Sequence, residues 1–335
     1  MPTNLGRIKL WSIGGGKGGI GKSLVTLGLG IALARLGKKV ILIDGDLGGA
    51  NLHTLMGVRY PHVTLEHFLT KKLSRLEDTI IETSVEGIGL ICGADDLLGS
   101  ANPTYSQKLR LLNQIEELPA QYVLLDLGAG TSFNILDFFN YSGGKIALFT
   151  SQATSLQNAY GFIKSALYRK LARDFARDDG VLQLLYQGSD IGTEAGMQSI
   201  QDLVTRVKDL SDEQHARLTQ ALRDFHLFLV VNMVKSNADL KSPEIIRSVC
   251  HDFLNIDSDI LGHVAFDPGV ETAVSQMVPF PLNQKKSKAM VGLDQIALRV
   301  VKESRLPRVA WGRAAEPAEE EDLPLNTIIT NPSRS

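Results

Sequence analysis

"GGGKGGIGKS", residues 14–23, decides how the rest of this chain is read. Gly16, Gly21, Lys22 and Ser23 fit the spacing GxxxxGK[ST]. The stretch follows an apolar strand pattern, "IKLWSI", and precedes a helical one, "LVTLGLGIALARL", that Gly37 stops. A phosphate-cradling loop needs this strand–loop–helix setting. From Gly16 through Gly18, Gly19, Ile20 and Gly21 to Leu24, consecutive backbone N–H groups can turn inward around an anion, and the helix N-terminus adds its dipole. Lys22 is placed to reach the β and γ phosphates and Ser23 to ligate magnesium. Lys17 is a second lysine in a loop that needs only one. It lies where a nucleotide wraps least tightly, so an extended ammonium there can point away from its own phosphates.

Outward from this loop, short apolar runs bounded by glycine or aspartate recur: "KVILIDGD", "GIGLICGAD", "YVLLDLGAG", "KIALFTSQ", "LFLVVNMV" and "ILGHVAF". Stretches with helical spacing separate them. Runs that are apolar on both faces suit a buried parallel sheet, so the expected fold class is α/β, a doubly wound, mostly parallel sheet. Function in such sheets collects at the carboxyl ends of the strands. Two of those ends carry acid. "DGD" puts Asp44 and Asp46 two residues apart at a strand end, where they are expected to point the same way, one organising magnesium-bound water and the other orienting the attacking water. "YVLLD" ends in Asp126, expected to hold magnesium through water. The alternative for Asp44 and Asp46 is a cap on a strand-to-helix turn.

Composition narrows the classes. The chain has 335 residues, 44% hydrophobic and 21% charged, with a net charge of -2. That balance describes a soluble globular chain with an ample core and makes no overall case for nucleic acid. Cys92 and Cys250 stand far apart without a CxxC spacing and read as structural thiols of a reducing compartment. No segment is apolar for long enough to span a bilayer, so a cytoplasmic protein with at most peripheral membrane contact is expected. Residues 171–224 break the strand–helix alternation; Ile200, Leu203, Val204, Val207 and Leu210 recur there at helical spacing. This helical insertion either packs on the sheet or presents an amphipathic face to a partner or membrane. The main domain is expected over residues 1–306. Beyond it, residues 307–335 read as an acidic, proline-spaced, disordered tail with a short docking segment around residues 323–329.

The loop with its extra lysine resembles the deviant Walker A family of P-loop ATPases, which includes MinD, ParA and FlhG. "DGDLGGANLHTLMGV" and "TSQATSLQNAYGFIKSA" lie closer to the MinD and FlhG branch. The resemblance covers roughly residues 9–167 and 227–301. It implies ATP and Mg²⁺ as cofactors, ATP hydrolysis, and an ATP-dependent homodimer in which Lys17 reaches the partner's nucleotide. It makes Asp46 the residue positioning the hydrolytic water, and it places Asn51 near the dimer interface. Gly130 should offer its N–H to the γ phosphate, in a loop where the family often has proline at the position of Gly128. Asn232 should read the adenine edge with amide donor and acceptor together, and Asp267 should contact nucleotide. Met233 stands where an arginine frequently follows, and Ala265 and Phe266 replace a family proline. The implied function is a switch that recruits a protein partner or activator and positions a flagellum, pilus, polar array or division site. A DNA-segregating ATPase would need a basic stripe, for which Lys71, Lys72 and Arg75 offer a start or merely a solvated turn. A nucleotide-dependent adaptor without hydrolysis is the third reading.

Overall fold

The computed structural model describes residues 7–46, 49–93, 103–189, 200–280, 287–303 and 306. In chain order the strands are β1 (Lys9–Gly14), β2 (Val40–Asp44), β3 (Ile80–Glu82), β4 (Ile88–Ile91), β5 (Tyr122–Asp126), β6 (Gly144–Thr150), β7 (Leu227–Val234) and β8 (Ser258–Ala265). The helices are α1 (Lys22–Arg35), α2 (Leu52–Leu55), α3 (Leu65–Leu69), α4 (Tyr105–Ile115), α5 (Phe133–Tyr141), α6 (Ala153–Asp174), α7 (Asp179–Ser189), α8 (Ile200–Leu210), α9 (Asp212–Asp224), α10 (Ser242–Leu254), α11 (Pro268–Ser275) and α12 (Lys288–Lys302).

The strands form one sheet in the order β3-β4-β2-β5-β1-β6-β7-β8. Every pairing is parallel except β3 with β4. That antiparallel edge strand is compatible with the mostly parallel sheet expected, although its run was not among those read as strands. "IIE" is three residues long and carries too little periodicity to announce itself. The other strands fall on the apolar runs. Alternation along them divides the core in two, with Trp11, Ile13, Leu42 and Leu124 facing α1, α2, α11 and α12. Leu10, Ile43, Val123 and Phe149 face α3 to α10. Covering both faces explains why β2, β5 and β6 are buried at every residue. The α12 positions Met290, Leu293, Ile296, Ala297 and Val300 are all buried against α1 and β8, as their helical spacing implies.

Residues 171–224 begin inside α6, which runs to Asp174, and continue as α7, α8 and α9. Ile200, Leu203 and Val207 are buried in the same core as Phe175, Val181, Leu218 and Leu222. Asp178 fastens this annex by accepting from Gln214 Nε2 at 2.8 Å and pairing with Arg217 at 2.8 Å. The apolar stripe of α8 is therefore spent on its own protein, apart from Leu210, which is exposed. Residues 307–335 lie outside the described residues, and no described helix is long and apolar enough to cross a membrane.

Both cysteines are buried thiols, and burial pushes Cys250 up to about 12. A thiol so placed is protonated and sealed from reagents. We expect Cys250 to be labelled by a thiol reagent only at the rate of unfolding, read by mass spectrometry of the Cys250 peptide; rapid labelling of native protein would show that the α10 side of the core opens.

Candidate functional site

The carboxyl ends of β1, β2, β5 and β7 meet above α1. Helix α1 starts at Lys22, and its N-cap is Gly21, which contributes no side-chain cap and has no acid in the following turn. The first N–H groups of α1 are thereby left to an anion. Gly21 has φ +87°, a left-handed conformation that glycine alone adopts without strain. A side chain there would also meet Asn232 Nδ2 at 2.5 Å. Asn232, almost fully buried on β7, donates from Nδ2 to the Ile20 carbonyl at 2.8 Å. One amide N–H that sequence reasoning reserved for the base is thus a brace of the loop.

Lys22 is buried, with Nζ 3.5 Å from the Lys17 carbonyl oxygen. Burial pulls its pKa down while Asp126 and Asp46 pull it back up, so the ammonium is held in a poorly solvated place that a phosphate would complete. Lys17 is its opposite: the side chain is exposed, and its ammonium has no hydrogen bond or ion pair among the described residues. Gly18 and Gly19 are exposed beside it, whereas Ile20 is buried and Ser23 and Leu24 are half-buried.

Asp44 and Asp126 end neighbouring strands in register. Asp126 is buried, accepting from Thr26 Oγ1 at 3.2 Å and from the Ser23 hydroxyl. Burial, aided by the nearby Asp44, pushes its carboxyl up to about 7. Asp44 is fully buried; its Oδ1 accepts from Asp46 N at 3.2 Å and its Oδ2 from Leu52 N at 2.9 Å. Its burial raises it to about 6 against those bonds. The two aspartates of "DGD" do not point the same way, because β2 ends at Asp44 and the strand alternation ends with it. Asp44 ties the following turn to α2, the role of the capping alternative, while Asp46 is half-buried and packs over Gly128, with Oδ1 3.0 Å from where a Cβ on that glycine would lie. Gly130 has φ +99°, so this loop also depends on glycine. Asn51 is exposed at the start of α2 with Nδ2 donating to the Gly49 carbonyl.

The Ser23 hydroxyl, the Asp126 carboxylate behind it and the charge accumulated with Asp44 fit a hard divalent cation that takes its remaining ligands from phosphate and water. Among the described residues no three His, Cys, Asp or Glu side chains gather as a metal cage.

At the carboxyl ends of β7 and β8 lies a cavity of about 410 Å³. Leu24, Val25, Asn232, Met233 and Phe266 are among the residues that line it, together with the polar Glu271 and Ser275. Met233 has φ +56°, and Lys235 Nζ lies 4.7 Å from the centre of the Phe266 ring. Asp267 borders the cavity with its carboxylate engaged. It caps α11 through Gly269 N at 2.9 Å and accepts from Ser287 Oγ at 2.7 Å and Ala289 N at 3.4 Å. Burial works against ionisation there, but these bonds outweigh it and hold the carboxyl below the usual range. Asp267 thus joins α11 to α12, a different use from the nucleotide contact expected of it.

Comparison with known proteins decides the family. The profile of the CobQ/CobB/MinD/ParA nucleotide-binding domain matches residues 11–280, from β1 to the segment after α11. The chain belongs to this family. Within the CobQ/CobB/MinD/ParA family, it is 29% identical over 213 residues to an uncharacterised ATP-binding protein of Methanocaldococcus jannaschii, covering 63% of this chain and 76% of that one. It is 27% identical to the antiactivator FleN of Pseudomonas aeruginosa over 47% of this chain and 56% of FleN. It is 31% identical to the flagellum site-determining protein YlxH of Helicobacter pylori over 48% of this chain and 54% of YlxH. The last two matches therefore span about half of each relative. The solved septum site-determining protein MinD of Pyrococcus horikoshii, complexed with Mg-ADP, superposes with a TM-score of 0.57 at 21% identity, covering 88% of this chain and 96% of MinD. That likeness establishes the fold.

Missing from the sequence reading was Thr26, whose hydroxyl lies 3.2 Å from Asp126 Oδ1 and 3.0 Å from the Lys22 carbonyl and shares its single proton between them. A threonine one turn into the helix is the signal, visible only once Asp126 is known to sit beside it. Also unforeseen was a buried ion cluster behind the site. Asp137 on α5 accepts from Lys108 Nζ (3.0 Å), Arg169 Nε (2.8 Å) and Arg169 Nη2 (3.0 Å) and pairs with Arg173 (3.1 Å). It joins α4 and α6 to the helix that follows the Asp126 loop.

Proposed function

We propose that the protein is an ATP-driven dimerisation switch: ATP with magnesium closes a homodimer, the closed form recruits a protein partner or activator, and hydrolysis reopens it. The observation that carries this reading is the contrast between the two loop lysines. Lys22 is buried within the loop, and the Lys17 ammonium stands exposed with no described partner beside the same phosphate cradle. A cation held outside its own site can stabilise charge in a second one, as a finger residue supplied in trans does.

Within one subunit, the N–H groups at the start of α1 and the Lys22 ammonium bind the phosphates, and the Asn232 Oδ1 accepts from the exocyclic amine of adenine. Ser23 and Asp126 would hold magnesium, which neutralises phosphate charge when bound. Asp46, half-buried at the rim and next to Gly128, orients the attacking water, and the Gly130 loop reports the γ phosphate by closing on it. Exposed Asn51 lies on the same rim and belongs to the dimer contact. YlxH, by its name, determines the site of a flagellum, FleN is named an antiactivator, and a role in positioning or regulating such a structure is the reading those similarities favour. In the basic turn Lys72 pairs with Glu66 and Arg75 with Glu77, which leaves Lys71 as the exposed cation there and supports the DNA-segregation reading less.

Light scattering tests the switch. Wild type and Asp46→Ala should double in mass with ATP and magnesium but not with ADP, Lys17→Ala should remain a monomer, and Asp46→Ala should lose turnover by about 100-fold. A mass indifferent to nucleotide in all three proteins would end the proposal and leave a monomeric ATPase or an adaptor.

A further inference from the structure

Helix α1 leaves the phosphate loop at Lys22 and reaches the amino ends of the strands at Arg35, just before β2 opens at Val40. Helix α12 packs beside it and ends at Lys302, where Lys9 Nζ from the start of β1 donates to the Glu303 carbonyl at 2.9 Å. Arg35, Lys39 and Lys302 are exposed and Lys38 is half-buried, and none of these four cations makes a side-chain hydrogen bond or salt bridge among the described residues. Asp294 lies near Arg35, and Glu86 stands on the turn that packs on Lys38, yet neither forms a salt bridge with them. On the same surface Leu36 is exposed after Arg35, and Leu298 and Val291 are exposed on α12, about one and about three turns before Lys302. Unpaired cations next to an apolar stripe suit a segment that is acidic and then apolar.

We propose that the chain's own C-terminal segment "EEEDLPLNTII", residues 319–329, docks on this surface, its four acids on Arg35, Lys38, Lys39 and Lys302 and its apolar half along the α12 stripe. Leu306, the last described residue, packs against the core that α1 and α12 share, so the chain departs from this side of the molecule. From there Glu319 is about 13 steps away, a reach of roughly 45 Å, which covers the whole basic end. A tether of that length holds the acids at about millimolar effective concentration, and that favours the chain's own segment over a separate polyanion. Pro324 keeps Leu323 extended, and seven extended residues span about 23 Å, enough to pass both Leu298 and Val291, which are about 10 Å apart along the helix. The cations lie at the surface, so salt screens the contact.

A water-soluble carbodiimide, which joins a lysine amine to a carboxylate only where the two touch, tests it on the full chain without nucleotide, so the outcome does not depend on the switch. Peptide mapping of the monomer band should find Lys38, Lys39 or Lys302 joined to the acids of 319–322, and these links should vanish at about 1 M NaCl. Acetylation of Lys38 and Lys39 should run about threefold faster in a variant carrying Glu319→Gln, Glu320→Gln, Glu321→Gln and Asp322→Asn than in wild type, with exposed Lys241 on the α10 side labelled equally in both. Leu298→Asn should cut the cross-link yield by about threefold. Links confined to the dimer band would show that the segment reaches a second copy, and links spread evenly over Lys71, Lys241 and the basic end would show no preferred seat; either overturns the proposal. Equal acetylation in the two proteins overturns it as well, and a yield unchanged by Leu298→Asn removes the apolar half.

Discussion

The Asp137→Ala protein unfolds at a urea concentration lower than wild type by on the order of 1 M. Asp137 and Lys108 have no exposed side-chain surface, and Arg169 has almost none. Burial alone would raise the Asp137 carboxyl, but the bidentate Arg169, then Lys108 and Arg173, outweigh it and hold it below the usual carboxylate range. Its contribution is therefore present above the unfolded carboxylate value and is lost as pH falls through that value and below. Removing the carboxylate strips two buried cations of their shared anion, a change that costs about 3–5 kcal/mol. An exposed pair such as Arg247 with Glu244 would cost far less, because water takes the place of the lost partner. Urea midpoints for wild type, Asp137→Ala and Glu244→Ala decide it. Equal midpoints for all three would mean that water reaches the cluster and that α4, α5 and α6 are held by apolar packing alone.

Stability of the nucleotide-free protein should fall as pH rises from about 4 to 7. Burial lifts Asp126 to about 7, with Asp44 adding to it, and burial lifts Asp44 to about 6. In the unfolded chain both titrate near the ordinary value, about 3.9. Across that window the folded protein holds protons the unfolded chain has released, so raising the pH favours unfolding. Each tenfold gain in proton affinity on folding is worth about 1.4 kcal/mol, so the effect should be read as a fall of several degrees in melting temperature across the window. A divalent cation at Ser23 and Asp126 keeps the carboxylates ionised and removes the penalty. Melting curves at pH 5 and 7.5, with and without magnesium and ADP, should show a slope in the free protein that the ligands flatten. A free protein that gains stability across the window would show the two carboxylates to be solvated.

Some of this protein could be read directly from its sequence because the causes are local. The loop 14–23 is a run of glycines between a strand and a helix, and its backbone path depends on residues within a few positions of each other. The β2 and β5 runs are apolar at every position because helices cover both faces, so they stand out as buried parallel strands without any partner being known. The stripe on α12 likewise names its own buried face.

What only the tertiary structure decided lies between residues far apart in the chain. Asn232 braces Ile20 across 212 positions, and Asp137 gathers its cations from helices on either side of α5. No periodicity records such meetings, since spacing predicts a face and not the group that will oppose it. Asp44 and Asp46 show the same limit at short range. Their separation suits a shared task only while the strand continues, and the end of β2 sends one carboxylate inward to the backbone and leaves the other at the rim. The cavity at the carboxyl ends of β7 and β8 likewise depends on how distant elements pack, a matter of volume to which a one-dimensional pattern is blind.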